Sequence, residues 1–156
     1  MRFDVPGHGE LSLDHLVLDY NGTLALDGRL KPGVADALNR LADTLSIHVI
    51  TADTHGSVRR EMEAVRCAVA VIGCEDQNRE KRDFVRALGS ASVVAIGNGR
   101  NDELMLGEAA LGICLIQEEG AFARTLMAAD VVCPSILDAL ALLENPGRLI
   151  ATLRNR

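Results

Sequence analysis

Residues 15–28 read HLVLDYNGTLALDG, an apolar run followed by a polar stretch that contains two glycines. The run HLVLD has the apolar composition of a buried strand, and it ends on Asp19. The residues that follow are small or polar and predict a loop. Farther on, Asp27-Gly28 is a strong signal for a type I′ turn, so we predict a flap hairpin over residues 24–31. The stretch therefore predicts a strand that delivers a carboxylate to an open loop beside a small flap.

Short apolar runs and amphipathic helical patterns alternate along the rest of the chain. Such alternation is typical of a parallel sheet covered by helices. We predict strands at 15–19, 46–51, 68–73, 92–97, 111–116 and 130–133. We predict helices at about 33–44, 55–66, 79–88, 101–110, 119–128 and 135–144. The predicted fold class is α/β, a three-layer Rossmann-like parallel sheet with helices on both faces.

The length of 156 residues fits a single domain, residues 1–156, without disulfides or structural metal. Within residues 1–14, RFDV and ELSL read as two short strands joined by a Pro-Gly turn, which predicts an N-terminal edge hairpin. The four cysteines form no C-x-x-C pair, so we expect them to be reduced and without a metal.

The composition excludes several classes of partner. A net charge of -6 argues against nucleic acid and against an anionic membrane surface, since both favour clustered Lys and Arg. No apolar stretch approaches the roughly 18 residues needed to span a membrane. The N-terminus lacks the apolar core of a secretion signal, so we expect a cytoplasmic protein. A small anionic ligand remains possible, because a local metal ion and one lysine can hold it.

The polar residues that follow the predicted strands indicate phosphoryl chemistry. Ligands of open parallel sheets bind beyond the carboxyl ends of the strands. Asp19 on such an end suits attack on phosphorus through an aspartyl-phosphate, helped by Mg2+. Thr51, with backbone N–H groups such as that of Ala52, can hold phosphate oxygens, and Lys81 can add a positive charge. Each residue alone has an ordinary structural interpretation, as a cap, a strand residue or a solvated lysine, but their combination favours a site.

These residues resemble four motifs of the haloacid dehalogenase (HAD) superfamily of phosphohydrolases. LDYNGTLA resembles the nucleophile motif, VITADT the Thr motif, Lys81 the lysine, and GNGRNDELML the acidic motif. The similarity covers residues 15–133, and the whole chain is similar to small proteins described as soluble P-type ATPase-like.

The resemblance implies a role for each matching residue. Asp19 is the nucleophile, and Mg2+ is held by Asp19, the backbone carbonyl of Asn21, Asn98 and Asp102. The catalytic set would be Asp19, Asn21, Thr51 and Lys81. The residues that bind the substrate phosphate would be Gly22, Thr51, Ala52 and Lys81.

Two departures from the family pattern bear on activity. The family's phosphatases have Asp at position 21, whereas Asn21 cannot exchange a proton near neutral pH, so hydrolysis should be slow. The family's metal ligand at position 98 is Asp, and Asn98 lacks that charge, so metal affinity should fall unless Asp102, Asp53 or a substrate phosphate compensates. We expect Asn101 to position these carboxylates by hydrogen bonding.

The first hypothesis is a Mg2+-dependent HAD-like phosphatase or phosphotransferase that acts on a small phosphorylated compound. The alternative is a catalytically degenerate member that binds a phosphorylated ligand or a protein partner. The intervals between Asn21, Thr51 and Lys81 are too short for a cap or for the nucleotide-binding domain of P-type ATPases, so we expect a capless site and no ATP-driven transport. Capless relatives close their sites with a neighbouring subunit, which implies a homo-oligomer.

Overall fold

The computed structural model describes residues 1–53 and 55–156, and these residues form ten strands and seven α-helices. The strands are β1 (Arg2–Val5), β2 (Gly9–Ser12), β3 (His15–Asp19), β4 (Ala25–Leu26), β5 (Arg29–Leu30), β6 (Ser46–Thr51), β7 (Ala68–Val71), β8 (Val93–Gly97), β9 (Leu111–Leu115) and β10 (Val131–Cys133). The helices are α1 (Val34–Leu41), α2 (Ser57–Glu61), α3 (Gln77–Leu88), α4 (Glu103–Glu108), α5 (Ala123–Ala128), α6 (Ile136–Glu144) and α7 (Pro146–Leu153). Thr54, which ends the predicted VITADT motif, lies outside the described residues.

Six strands form one parallel sheet in the order β10-β9-β8-β3-β6-β7. The central strand β3 pairs with β6, where Asp19 lies opposite Ile50, and with β8, where Leu18 lies opposite Ile96. From β3 the chain builds outward to β6 and β7 on one side, and later through β8, β9 and β10 on the other. The carboxyl end of β3 is therefore the topological switch point, where ligands of such sheets bind. The predicted α/β fold class is confirmed.

Helices cover both faces of the sheet because the side chains of a buried strand alternate between faces. Leu16 and Leu18 of β3 pack in a core with side chains of α1, α2, α6 and α7. Val17 points to the opposite face, into a second core with side chains of α3, α4 and α5. The three-layer arrangement thus follows from a central strand that is apolar on both sides.

Three helices differ from the prediction. The chain leaves α2 at Met62, with i to i+3 bonds from Glu63 N to Arg60 O and from Val65 N to Met62 O, so the predicted helix at 55–66 is wrong over its second half. The predicted helix at 119–128 begins only at residue 123. Helix α7 was not predicted.

The N-terminal hairpin does not extend an edge of the main sheet, which corrects the predicted edge position. Strands β1 and β2 pair with each other, and the edges of the six-stranded sheet are β7 and β10. From Ser12 at the end of β2 to His15 at the start of β3 the chain makes three Cα steps, which span at most about 11 Å. A strand added outside the nearer edge, β7, would lie three spacings of about 4.8 Å from β3 and is out of reach of this link.

The flap forms where the sequence predicts it. Ala25 pairs with Leu30, and both turn residues have positive φ, 51° at Asp27 and 79° at Gly28, as a type I′ turn requires. Tyr20 Oη donates to the carbonyl oxygen of Gly28 at 3.0 Å, which fastens the turn to the end of β3.

No helix within residues 1–53 or 55–156 has the length and apolarity needed to cross a membrane.

Candidate active site

A cavity of about 470 Å³ lies at the carboxyl ends of β3, β6 and β8. It collects side chains from the strand ends, from α3 and from the loop that follows β9. The predicted site residues among its lining are Asp19, Asn21, Thr51, Ala52, Lys81 and Asn98. The topology thus brings together residues that lie up to 79 positions apart in the sequence, from 19 to 98.

A buried lysine holds the carboxylate at the centre of this cavity. Lys81 is 1% exposed, and its Nζ lies 2.7 Å from Asp19 Oδ1 and 2.7 Å from Asp102 Oδ1. Burial lowers the pKa of Lys81, but the charges of Asp102 and Asp19 outweigh burial, so the net shift is upward and the ammonium is retained. Burial raises the pKa of Asp19 to about 7, the charge of Asp102 adds to the rise, and Lys81 opposes it. A cation beside Asp19 would favour its charged form.

Asp102 does not line the cavity, and its geometry does not fit the predicted role of direct metal ligand. Its side chain is fully buried. One oxygen contacts Lys81, and the other accepts the backbone N–H groups of Asn98 and Gly99, both at 2.9 Å. Both oxygens are therefore engaged, and Asp102 positions Lys81 and the loop after β8.

The hydroxyl of Thr51 can donate a hydrogen bond to a ligand. Its Oγ1 accepts the backbone N–H of Asp53 at 3.1 Å, and the side chain is 4% exposed. Asp53, considered above as a compensating charge, instead accepts hydrogen bonds from Ser57 Oγ and from the backbone N–H groups of Val58 and His55. These bonds lower the pKa of Asp53 to about 2. The Asp53 carboxylate therefore stabilises the start of α2 by hydrogen bonding.

The oxygens beside Asp19 suit a hard cation. Asp19 Oδ2 and Asn98 Oδ1 each lie 3.4 Å from Thr23 Oγ1, and all three side chains are buried. A hydroxyl has one hydrogen, so it can serve only one of the two oxygens at a time. Carboxylate, amide and backbone carbonyl oxygens are ligands that Mg2+ accepts, and the donor set here therefore fits Mg2+.

Among these predicted ligands only Asp19 is a carboxylate. Asn98 would contribute an amide oxygen, and Asn21 a backbone carbonyl oxygen. Across residues 1–53 and 55–156, no three His, Cys, Asp or Glu side chains come together as a metal-binding group. Gly22, the remaining predicted residue, lies behind the ligands, where a Cβ would meet the Asn98 amide at 2.9 Å. Its lack of a side chain leaves room for Asn98.

The cavity also contains residues that the sequence analysis missed. Gln77 lies on the first turn of α3, and Asn101 Nδ2 donates to its Oε1 at 2.7 Å. Asn101 was predicted to position the carboxylates, but its side-chain amide instead orients Gln77. Glu119 comes from the loop after β9, a strand end that carries no recognisable motif.

Comparison with known proteins gives relatives in sequence and in structure. No protein-family model matches the chain. The uncharacterized protein MJ0073 of Methanocaldococcus jannaschii is 54% identical over 63 residues, which cover 40% of this chain and 68% of that protein.

Two solved structures illustrate the similarity in fold. A 3-deoxy-D-manno-octulosonate 8-phosphate phosphatase from Moraxella catarrhalis, in complex with magnesium, phosphate and KDO, superposes with a TM-score of 0.70 at 16% identity and covers 91% of this chain and 94% of that one. A hydrolase of the HAD family from Streptomyces avermitilis MA-4680 gives a TM-score of 0.66 at 17% identity, with 92% of this chain and 85% of that one covered. At these identities the similarity concerns the fold.

Proposed function

Since the chain belongs to the family of MJ0073 and has the HAD-like fold, we propose that it is a phosphohydrolase or phosphotransferase. The proposed substrate is a small phosphorylated compound, and the proposed intermediate is an aspartyl-phosphate on Asp19. One observation carries the proposal: Asp19 stands at the switch point of the sheet, inside a cavity, with its Oδ1 held 2.7 Å from Lys81 Nζ.

In the first step, a carboxylate oxygen of Asp19 attacks the phosphorus atom. A new O–P bond forms, and the P–O bond to the leaving group breaks with its electron pair on the leaving oxygen. Lys81 and the Thr51 hydroxyl stabilise the charge on the transferring phosphoryl group. Asn21 has no proton to give, so the leaving oxygen takes its proton from water.

Mg2+ fits the side of the cavity opposite the lysine. Asp19 Oδ2, Asn98 Oδ1 and the backbone carbonyl of Asn21 would hold it. When bound, Mg2+ would neutralise phosphate charge and orient the phosphoryl group toward Asp19. Asp102 positions these groups, because its carboxylate accepts hydrogen bonds from Lys81 and from the backbone N–H groups of Asn98 and Gly99.

In the second step, water attacks the phosphorus of the aspartyl-phosphate, releases phosphate and restores the Asp19 carboxylate. A carboxylate at position 21 would take a proton from this water, and Asn21 cannot. Positioned general acid-base groups contribute roughly 100 to 10,000-fold to a rate, so the proposed hydrolysis is slow and the phosphorylated protein persists.

A second candidate function follows from the same two amides. Asn21 and Asn98 stand where a phosphatase site uses carboxylates, which favours a protein that binds a phosphorylated ligand or a partner without turnover. The retained set of Asp19, Thr51 and Lys81 favours the enzyme over this alternative.

The proposed substrate is small, and the proposed assembly is a homo-oligomer. The flap, residues 24–31, is not among the described residues that line the cavity. A neighbouring subunit would supply the cover that the chain itself does not place over Asp19.

Phosphate release from a panel of small phosphorylated metabolites tests the proposal. Wild type with Mg2+ should release phosphate slowly from at least one compound, and Asp19→Asn or EDTA should reduce release to background. Release that survives Asp19→Asn would contradict the proposed nucleophile. Binding of a phosphorylated compound with no release by wild type would favour the second candidate.

A further inference from the structure

The loop between β9 and α5, residues 116–122, is fastened against the residues around Asp19. Gln117 Nε2 donates to the carbonyl oxygens of Gly22 and Thr23, each at 3.0 Å. Gly120 O accepts Asn98 Nδ2 at 3.0 Å, and Phe122 N donates to Asn98 O at 2.9 Å. The loop is thus held on both sides of Glu119, which lies on the cavity wall.

These bonds also determine which way the amide of Asn98 faces. Because Nδ2 donates to Gly120 O, Oδ1 faces Thr23, whose Oγ1 lies 3.4 Å away. Asn98 is 5% exposed and Asp19 is 8% exposed, and both residues line the cavity. The single hydrogen of Thr23 Oγ1 can serve only one of Asp19 Oδ2 and Asn98 Oδ1 at a time. Two buried acceptors that share one donor indicate a place for a cation.

The carboxylates on the cavity wall differ in how they are engaged. Asp53 accepts hydrogen bonds from Ser57 and Val58 at the start of α2, and Asp19 Oδ1 accepts one from Lys81. Glu119 accepts no hydrogen bond and forms no salt bridge with any residue within 1–53 or 55–156. A Cβ on Gly22 would contact both Glu119 Oε2 and the Asn98 amide, so these two groups lie close together beside Gly22, on the loop that follows Asp19.

The geometry points to Glu119 as the carboxylate that supplies the second negative charge of the Mg2+ site, in place of the charge that Asn98 lacks. This inference rests on the proposed function, because that function requires the cation. Asn98 provides a neutral oxygen, and the loop after β9 brings a carboxylate to the same side of Asp19. In this arrangement the second carboxylate of the site stands on the loop after β9, whereas the residue on the loop after β8, Asn98, is neutral.

Isothermal titration calorimetry with MgCl2 alone, without any phosphorylated compound, tests this role. The variant is Glu119→Gln. The matched control is Glu118→Gln, which removes the same charge one residue away, where Glu118 pairs with Lys31 at 2.8 Å. The rescue is Asn98→Asp combined with Glu119→Gln, which returns a carboxylate to the strand end of β8.

Glu119→Gln should weaken Mg2+ binding roughly tenfold or more, as the loss of a supporting carboxylate does at metal sites. Glu118→Gln should change the dissociation constant less than about threefold, because Glu118 does not line the cavity and its charge is paired with that of Lys31. The double variant should recover most of the affinity.

Equal effects of Glu119→Gln and Glu118→Gln, or no recovery in the double variant, would overturn the inference and leave the proposed function intact. Wild type that takes up no Mg2+ would overturn both. Mg2+ binding that depends on Glu119, in a protein that releases no phosphate from any compound, would contradict the proposed function alone.

Discussion

In the proposed function, Asn21 is the residue that makes hydrolysis slow. It stands on the cavity wall two residues after Asp19, where an amide can orient a ligand but cannot move a proton. The buried trio of Asp19, Lys81 and Asp102 behind it is complete. We therefore expect a nucleophile that accepts a phosphoryl group more readily than it loses one.

Asn21→Asp should raise the rate of phosphate release by about 100-fold or more, because it restores the acid-base group. Single-turnover kinetics with the most reactive compound of the panel measure this rate. Asn101→Asp adds the same charge to the cavity wall beside Gln77 and should give no such gain. Equal rates in Asn21→Asp and wild type, with Mg2+ still bound, would contradict the position assigned to Asn21.

His48 makes stability depend on pH at the opposite end of the sheet. His48 Nε2 lies 3.1 Å from His15 Nδ1, and Phe84 packs edge-on against its ring. Burial lowers the pKa of His48 from its ordinary value of 6.5, and His15 adds to this shift. As the pH falls below 6.5, the unfolded chain takes up the proton first, so the free energy of unfolding decreases.

His48→Gln should flatten this decrease. Urea unfolding of wild type and His48→Gln between about pH 5 and about pH 8 measures the difference, and this is the window in which histidine changes charge. His8→Gln, in an exposed turn, should follow wild type. Parallel pH profiles for wild type and His48→Gln would contradict the account.

At the scale of elements, the candidate site is a set of loops after parallel strands. The loops after β3, β6 and β8 were predictable, because small polar residues follow apolar runs there and resemble a known order of motifs. The positions of the Asp102 and Glu119 side chains were not predictable from the sequence. Whether a carboxylate faces a cavity or a buried lysine depends on the tight turn after β8, and Glu119 gains its position from bonds of Gln117 to a distant loop.

Gly22 tests how closely these loops pack. Its φ is 74°, and a Cβ there would meet the Asn98 amide and Glu119. Gly28 has a φ of 79° but no atom within 4 Å of such a Cβ, so Gly28→Ala carries only the backbone cost. That cost is about 1 to 2 kcal/mol.

Gly22→Ala should destabilise the protein by at least about 1 kcal/mol more than Gly28→Ala, because it adds overpacking to the same backbone strain. Urea unfolding of the two variants gives the comparison. Equal losses of stability would mean that the loops after β3, β8 and β9 do not meet at Gly22 as described.

Helix α7 shows why one element escaped prediction. Pro146-Gly147 reads as a turn, yet Pro146 occupies the first position of the helix, where its missing N–H costs nothing. The helix then places Leu149 in the core beside α6. An eight-residue helix whose stability comes from packing carries little local signal.

Leu149→Ala should lower the free energy of unfolding by about 2 to 5 kcal/mol, because Leu149 is fully buried. Thr152→Ala, on the exposed side of the same helix, should change it by less than about 0.5 kcal/mol. Chemical denaturation distinguishes the two, and a mild effect of Leu149→Ala would contradict the packing of α7 on the core.

For the whole molecule, the order of strands is the feature that makes a site. Alternating strands and helices predicted a parallel sheet, and the right-handed crossovers of such sheets restrict how it can be wound. The sequence analysis placed the N-terminal hairpin at an edge of the sheet, whereas β1 and β2 pair only with each other, because the short link to β3 does not reach an edge. The homo-oligomer stays a prediction.

The central claim is that Asp19 accepts a phosphoryl group at this switch point. Fluorine NMR with Mg2+ and beryllofluoride, a mimic of the phosphoryl group, tests it most directly. The account predicts resonances of bound beryllofluoride with wild type, none with Asp19→Asn, and weaker binding with Glu119→Gln than with Glu118→Gln. Wild type that binds no beryllofluoride in saturating Mg2+, or Asp19→Asn that binds it as well as wild type, would contradict the claim.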